Sequence, residues 1–346
     1  METARRCLFV CLTMTLVLML AAVPDAGAAG KAQKVKFVLV GLSEGGVETA
    51  SEPMAINMYY GALDYRMRTY SPLKGKYELE WVDTLFPTAN DCLTGVASDA
   101  AQMTFSGPHY LEQIDPVWKV GEAPGVFESW DHFIRTMNTP AWQEFQEKMA
   151  KEKGVRVVKW MANNGDWFLY SDKGPIKTQA DMSGQKIRYA GGEGFAKALK
   201  NMGATAISLP YTEVVTGLQT HMIDGLVTDM FAAQLFYELP RYTKYAVNFT
   251  WTIQPLCLVV SSAWWDKLPG EERQAIKDVF DRIDVSQYFG HVQQQLIEKW
   301  AAGPKTELLE LSPEEKANWR KVIMDSGKEV LGSIAPELVQ AIEESR

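Results

Sequence analysis

The chain has 346 residues, 47% apolar and 23% charged, with 43 acidic against 35 basic side chains and a net charge of -8. That acidic balance argues against nucleic acid or anionic lipid as a partner. The apolar share supports an ordinary hydrophobic core and makes a disulfide framework unnecessary.

The opening stretch, METARRCLFVCLTMTLVLMLAAVPDAGAAG, sets Arg5 and Arg6 before an apolar run from Cys7 to Ala22, then the small residues Ala26-Gly27-Ala28. This is the pattern of a secretory signal peptide over residues 1–28, cleaved near Ala28, which predicts a periplasmic protein. The run is too short and wrongly flanked for a membrane span, and no later segment has about 18 uncharged apolar residues. Cys7 and Cys11 stand too early for lipid attachment. Of the remaining cysteines, Cys92 and Cys257, an oxidising compartment permits a bond but nothing in the pattern requires one. The mature chain beyond residue 28 exceeds the size that one core usually supports, so two lobes are expected.

Lys34 to Val40 predicts a first strand, and the loop after it, GLSEG, matches the G-x-S-x-G of a hydrolase nucleophile elbow at Ser43. Apolar positions from Met54 through Met67 suit a helix, and Tyr77 to Val82 a second strand. Pro140 to Lys153 predicts a helix before the strand Val155 to Met161. Lys186 to Ala190 is a strand turned by Gly191-Gly192. Phe195, Leu199 and Met202 then keep helical spacing until Gly203. Thr205 to Leu209 is a further strand closed by Pro210. Val214, Val215, Leu218 and Met222 mark another helix, and Leu226 to Thr228 begins a third strand. This β-α-β-α-β run predicts a parallel arrangement with helices on its faces. Ligands of open parallel sheets collect beyond the carboxyl ends of the strands, where Arg188, Tyr211 and Thr228 converge. From Glu271 to Trp300 the apolar rhythm predicts one helix of about 45 Å, enough to span two lobes. Ser312-Pro313-Glu314 opens another with an N-cap and a proline at its first position.

The elbow at Ser43 lacks its supporting parts. Only one strand precedes it, so no earlier loop supplies oxyanion donors, and none of His109, His132, His221 and His291 stands out as a general base. There is no C-x-x-C, no histidine pair at helical spacing and no phosphate loop, so neither a metal nor a cofactor is expected. YAGGEGFAK lacks the dinucleotide spacing. Ser43 then reads as a loop residue available for hydrogen bonding, and the chain as a non-enzyme.

At DMSGQKIR the chain resembles the solute-binding proteins of tripartite ATP-independent periplasmic (TRAP) transporters, the DctP family. The words PYTEVVTGLQT, MIDG, FYELPRYTKY and WWDKLP come after it in order, and the likeness extends over the mature chain. The resemblance implies an α/β, two-lobed periplasmic binding protein of Venus-flytrap type, with mixed sheets and a long lobe-spanning helix. The expected lobes are 29–164 plus 254–293 and 165–253 plus 294–346. It implies that Arg188, the arginine of the KIR word, grips a ligand carboxylate with two parallel hydrogen bonds. Tyr211 packs on the ligand, Thr228 replaces a common asparagine donor, and Ser106 in MTFSGPH lines the wall with Ser43. Where relatives with bulky or doubly charged ligands carry a second arginine, this sequence has Trp167. Where a histidine is common it has Trp251. One fixed cation with added aromatic surface implies an organic monocarboxylate with an aromatic or apolar body, such as an aryl or indolyl acid or a 2-oxo acid. The implied partners are the small and large TRAP membrane subunits, with the receptor itself a monomer. Two other roles stay open on the sequence: a periplasmic ligand sensor of a signalling system, and a secreted serine hydrolase using Ser43.

Overall fold

The computed structural model describes residues 32–38, 64–82, 85–86, 88–161, 167–248, 253, 255–282 and 286–346. Every strand and helix named below lies within Gln33–Arg346. Among the described residues the strands form two sheets. The first contains β1 (Gln33–Val38), β2 (Tyr77–Val82), β3 (Met103–Ser106), β4 (Val155–Met161) and β10 (Leu256–Ser261), in the order β2-β1-β3-β10-β4. The second contains β5 (Trp167–Ser171), β6 (Lys186–Tyr189), β7 (Thr205–Ser208), β8 (Gly225–Asp229), β9 (Tyr245–Asn248) and β11 (Glu307–Leu309), ordered β11-β9-β5-β8-β6-β7. Both are mixed: β10 runs antiparallel to β3 and β4, and β5 antiparallel to β8 and β9.

Side chains alternate across each strand, so each sheet divides its residues between two cores. Cys257 and Val259 of β10 join Leu93, Trp118, Phe133 and Trp142, whereas Leu258 and Val260 join Phe37, Trp264, Ile276 and Phe280. In the second sheet Trp167 and Leu169 pack with Ile187, Phe195 and Val227, while Phe168 and Tyr170 pack with Val214, Leu226 and Trp300. Burial on both faces explains why these strands are apolar along their length rather than alternating.

The described helices of more than one turn with settled limits are α1 (Ala89–Ala97), α2 (Trp130–Met137), α3 (Pro140–Lys153), α4 (Glu193–Asn201), α5 (Val214–Gln219), α6 (Gly270–Asp281), α7 (Ser286–Ala301), α8 (Pro313–Leu331) and α9 (Pro336–Glu344). The predicted run is present as β6-α4-β7-α5-β8, with β6 paired in parallel to both β7 and β8. Gly154 ends α3 at φ 72°, where a side chain would stand 2.6 Å from the Ala97 carbonyl. Only glycine tolerates both demands. Ser312 caps α8 by accepting the Glu315 N–H at 3.1 Å, as the sequence predicts.

Three expectations need correction or narrowing. The apolar rhythm from Glu271 to Trp300 is carried by two helices, since α6 stops at Asp281 with Arg282 as its cap. Their apolar faces serve different sheets: Ile276 and Phe280 pack with the first, Leu296 and Trp300 with the second. The strands of the first sheet come from 29–164 plus 254–293 and those of the second from 165–253 plus 294–346. The C-terminal helix departs from that division, because Leu338, Ala341 and Ile342 of α9 enter the first sheet's core beside Trp142. Of the helix expected from Met54 to Met67, residues 64–69 are helical and those before residue 64 lie outside the described residues. Cys92 and Cys257 are both buried free thiols.

Candidate functional site

Arg188 is the third residue of β6 and only 2% exposed, the one buried lysine or arginine among the described residues. Its backbone pairs with Leu226 of β8, and Leu226 pairs with Tyr170 of β5. That register puts Arg188 on the sheet face that also carries Phe168 and Thr228. The guanidinium Nε donates to the Leu209 carbonyl at 2.9 Å, so the chain leaving β7 fixes the head from one side. Tyr237, itself buried, lies against the guanidinium, which offsets part of the rise that burial gives its phenol. Among the described residues no carboxylate lies within ion-pair distance of Arg188. A buried charge without a counter-ion is expensive, so a cation held this way stands ready for an anion.

The other predicted residues divide. Thr228 is buried on the face of Arg188. Tyr211 opens the short turn Tyr211–Glu213 after Pro210, packed at the edge of the core that holds Phe168. Ser106 ends β3, buried, and its carbonyl accepts the Cys257 thiol at 3.3 Å. Trp167 is placed otherwise than a stacking partner for an acid on Arg188 would need. It is the first residue of β5 and alternates onto the opposite face, its ring 5.1 Å from that of Phe195 at 45°. Its Nε1–H is buried with no partner among the described residues. Ser43 and Trp251 lie outside the described residues.

The structure adds residues that spacing along the chain did not single out. Tyr110 sits in the turn Pro108–Leu111 beyond β3. Burial pushes its phenol up to about 12 while Arg188 pulls it down, and Tyr237, Glu122 and Tyr211 act on it as well. These side chains come from positions far apart in sequence and from both sheets' layers. The seam is closed beside them. The Glu193 N–H at the start of α4 donates to both oxygens of Glu112, at 3.2 and 3.0 Å, and Lys119 Nζ lies 3.2 Å from the Glu193 carboxylate. A carboxylate at a helix N-terminus is favoured by the helix dipole. Burial nevertheless raises the Glu112 pKa, with the Glu193 N–H opposing.

Among the described residues no cluster of three His, Cys, Asp or Glu could hold a metal ion, and no helix is long and apolar enough to cross a membrane. A fixed guanidinium amid phenols, with Thr228 on the same sheet face, is suited to holding a small anion.

The family profile of bacterial extracellular solute-binding protein, family 7 (DctP), matches residues 73–331. The 2,3-diketo-L-gulonate-binding periplasmic protein YiaO of Escherichia coli K12 is 26% identical over 228 residues, covering 65% of this chain and 66% of that protein. A solute-binding protein of Chromohalobacter salexigens is 30% identical over 199 residues, 55% of this chain and 58% of its own length. The chain therefore spans under two thirds of either relative. A TRAP periplasmic solute-binding protein of Shewanella oneidensis, solved with bound succinate, matches at a TM-score of 0.76 and 19% identity, over 91% of this chain and 99% of that one. That last likeness is one of fold, and the fold is two-lobed α/β.

Proposed function

The chain belongs to the DctP family of bacterial extracellular solute-binding proteins, family 7, and from that premise we propose that it is the periplasmic receptor of a TRAP transporter. It captures an organic acid between its two lobes and delivers it to the small and large membrane subunits without chemical turnover. The observation that carries this reading is the buried guanidinium of Arg188, which has no carboxylate within ion-pair distance among the described residues. Its planar edge matches a carboxylate with two parallel hydrogen bonds, and it stays charged at any physiological pH.

The ligand is a monocarboxylate with an aromatic or apolar body. One buried cation among the described residues neutralises one carboxylate. Tyr110, Tyr211 and Tyr237 supply aromatic surface around it, and Trp251, outside the described residues, is proposed to add to it. Ser106, Thr228 and the loop of Ser43 complete the wall. Mass spectrometry of the small molecules released by denaturing the purified protein tests the ligand class. Recovery of an aryl, indolyl or other apolar monocarboxylate is expected. Recovery of a dicarboxylate or sugar acid overturns the class and leaves the receptor role standing.

Capture by lobe closure makes a second expectation. A side chain added at Gly194 would meet Ala123 Cβ at 2.6 Å and its Cα at 2.9 Å across the seam. Overpacking of this kind costs about 1–3 kcal/mol, so Gly194→Ala should lower acid affinity roughly tenfold. In the ligand-free protein the lobes separate and the same change removes a helical glycine, worth up to about 1 kcal/mol in favour of folding. Calorimetric titration and thermal melts should move in opposite directions. Unchanged affinity would mean that closure does not bring these backbones together.

A further inference from the structure

The seam holds a pair of side chains that Arg188 does not account for. His109 Nδ1 lies 2.6 Å from Glu122 Oε2, with the two side chains 11% and 4% exposed. The contact occupies Nδ1 and Oε2 and leaves Nε2 and Oε1 outside it. Among the described residues nothing bonds Nε2, and Glu122 Oε1 is buried without a partner. A purely structural pair would spend those two positions on neighbouring N–H groups. Among the described residues both stay open, one a carboxyl oxygen and the other a ring nitrogen.

Their position ties them to the cleft. His109 and Glu122 flank Gly107, the residue after Ser106, where an added side chain would meet Glu122 Oε1 at 2.8 Å and the imidazole at 3.1 Å. The His109 ring lies against Tyr110, centroids 3.9 Å apart, and Tyr110 is the phenol on which both Arg188 and Glu122 act. From the other layer, Gly191 and Gly192 come within 3.5–3.8 Å of His109 at their Cβ positions. Those glycines follow Ala190, the first residue beyond the strand that bears Arg188. The pair therefore stands across the seam from the carboxylate grip.

We infer that His109, oriented by Glu122, contacts the bound acid and selects one that carries a hydroxyl, a group that pairs with the free ring nitrogen as donor or as acceptor. The inference rests on the receptor reading above and sharpens it: the acid bears a hydroxyl in addition to its single carboxylate. Glu122 acts as a positioning residue, since its carboxyl group holds the ring through Nδ1. A site built to pair a ligand hydroxyl rejects the analogue that lacks it, because its own polar atoms are left unpaired.

Calorimetric titration with acid pairs that differ by one hydroxyl tests this: lactate and propionate, 3-phenyllactate and 3-phenylpropionate, malate and succinate. The wild type should prefer the hydroxylated member of the tightest-binding pair by about tenfold or more. In His109→Ala that preference should fall to within about twofold while the deoxy acid binds as before. Glu122→Gln should give an intermediate ratio, and His109→Asn, which keeps a side chain that donates and accepts, should restore part of it. Retained binding of the deoxy acid shows that each variant is folded. A preference that survives both His109→Ala and Glu122→Gln, or none in the wild type, overturns the inference while the Arg188 site stands. Failure of every acid to bind the wild type overturns the receptor reading and the inference with it.

Discussion

Arg188→Ala should weaken binding of the acid by roughly a hundredfold or more, because breaking a buried charge pair by removing one partner costs about 3–5 kcal/mol. The loss has two parts. The ligand carboxylate forfeits its bidentate partner, and it must still leave water to enter the cleft. Arg188→Lys keeps the charge but not the planar fork, so it should recover only part of the affinity. The ligand-free protein should respond in the opposite sense. Its guanidinium, less enclosed once the lobes part, has the Leu209 carbonyl and the Tyr237 phenol of its own lobe for company and no described carboxylate. Arg188→Met, similar in volume and uncharged, should therefore leave denaturant stability unchanged or raised. A receptor that gains stability and loses its ligand has Arg188 retained for binding. If Arg188→Met unfolds the free protein instead, the residue is structural.

Asp229→Asn should stabilise the protein at neutral pH by roughly 3 kcal/mol, with an effect that vanishes in acid. Asp229 ends β8, 5% exposed, and burial carries its carboxyl from the ordinary 3.8 to about 6 against the pull of the backbone N–H groups it accepts. A folded-state pKa above the unfolded one means that the native protein binds more protons between the two values. Stability contributed by this group is therefore complete below about pH 4 and lost as pH rises through about 6. Asparagine keeps an acceptor for the Ala232 N–H, 2.8 Å away in the wild type, and never ionises. Urea unfolding of both proteins from pH 4 to pH 8 should give curves that coincide at the acid end and separate above it. A pH-independent difference would mean that the burial of the charge is not what costs stability here.

Much of the second sheet was legible in the sequence. The β6-α4-β7-α5-β8 run announces itself because glycine and proline punctuate each change from period two to period three or four, and parallel order results from helices short enough to cross over only one way. The KIR word located Arg188, and the register confirms that it shares a face with Thr228. The hidden part depends on pairing between segments. Alternation within WFLYS says that Trp167 and Phe168 face opposite ways, but only the pairing of β5 with β8 decides which of them faces with Arg188. The apolar stripe of α9 predicts a buried side without saying which core receives it. The rhythm from Glu271 to Trp300 continues across two helices because each has its own apolar face, and nothing in that rhythm marks the stop at Asp281. Tyr110, Tyr237, His109 and Glu122 reach the seam from separate elements, and their convergence is a property of the closed fold alone.

The most direct measurement is a structure of the protein with the compound it retains through purification, or with the tightest-binding acid of a carboxylate screen. The expected result is a carboxylate whose two oxygens each accept a hydrogen bond from the Arg188 guanidinium, with the rest of the molecule enclosed among Tyr110, Tyr211 and Tyr237. A guest bound elsewhere, or Arg188 paired with a carboxylate of the protein itself, would contradict the account at its root.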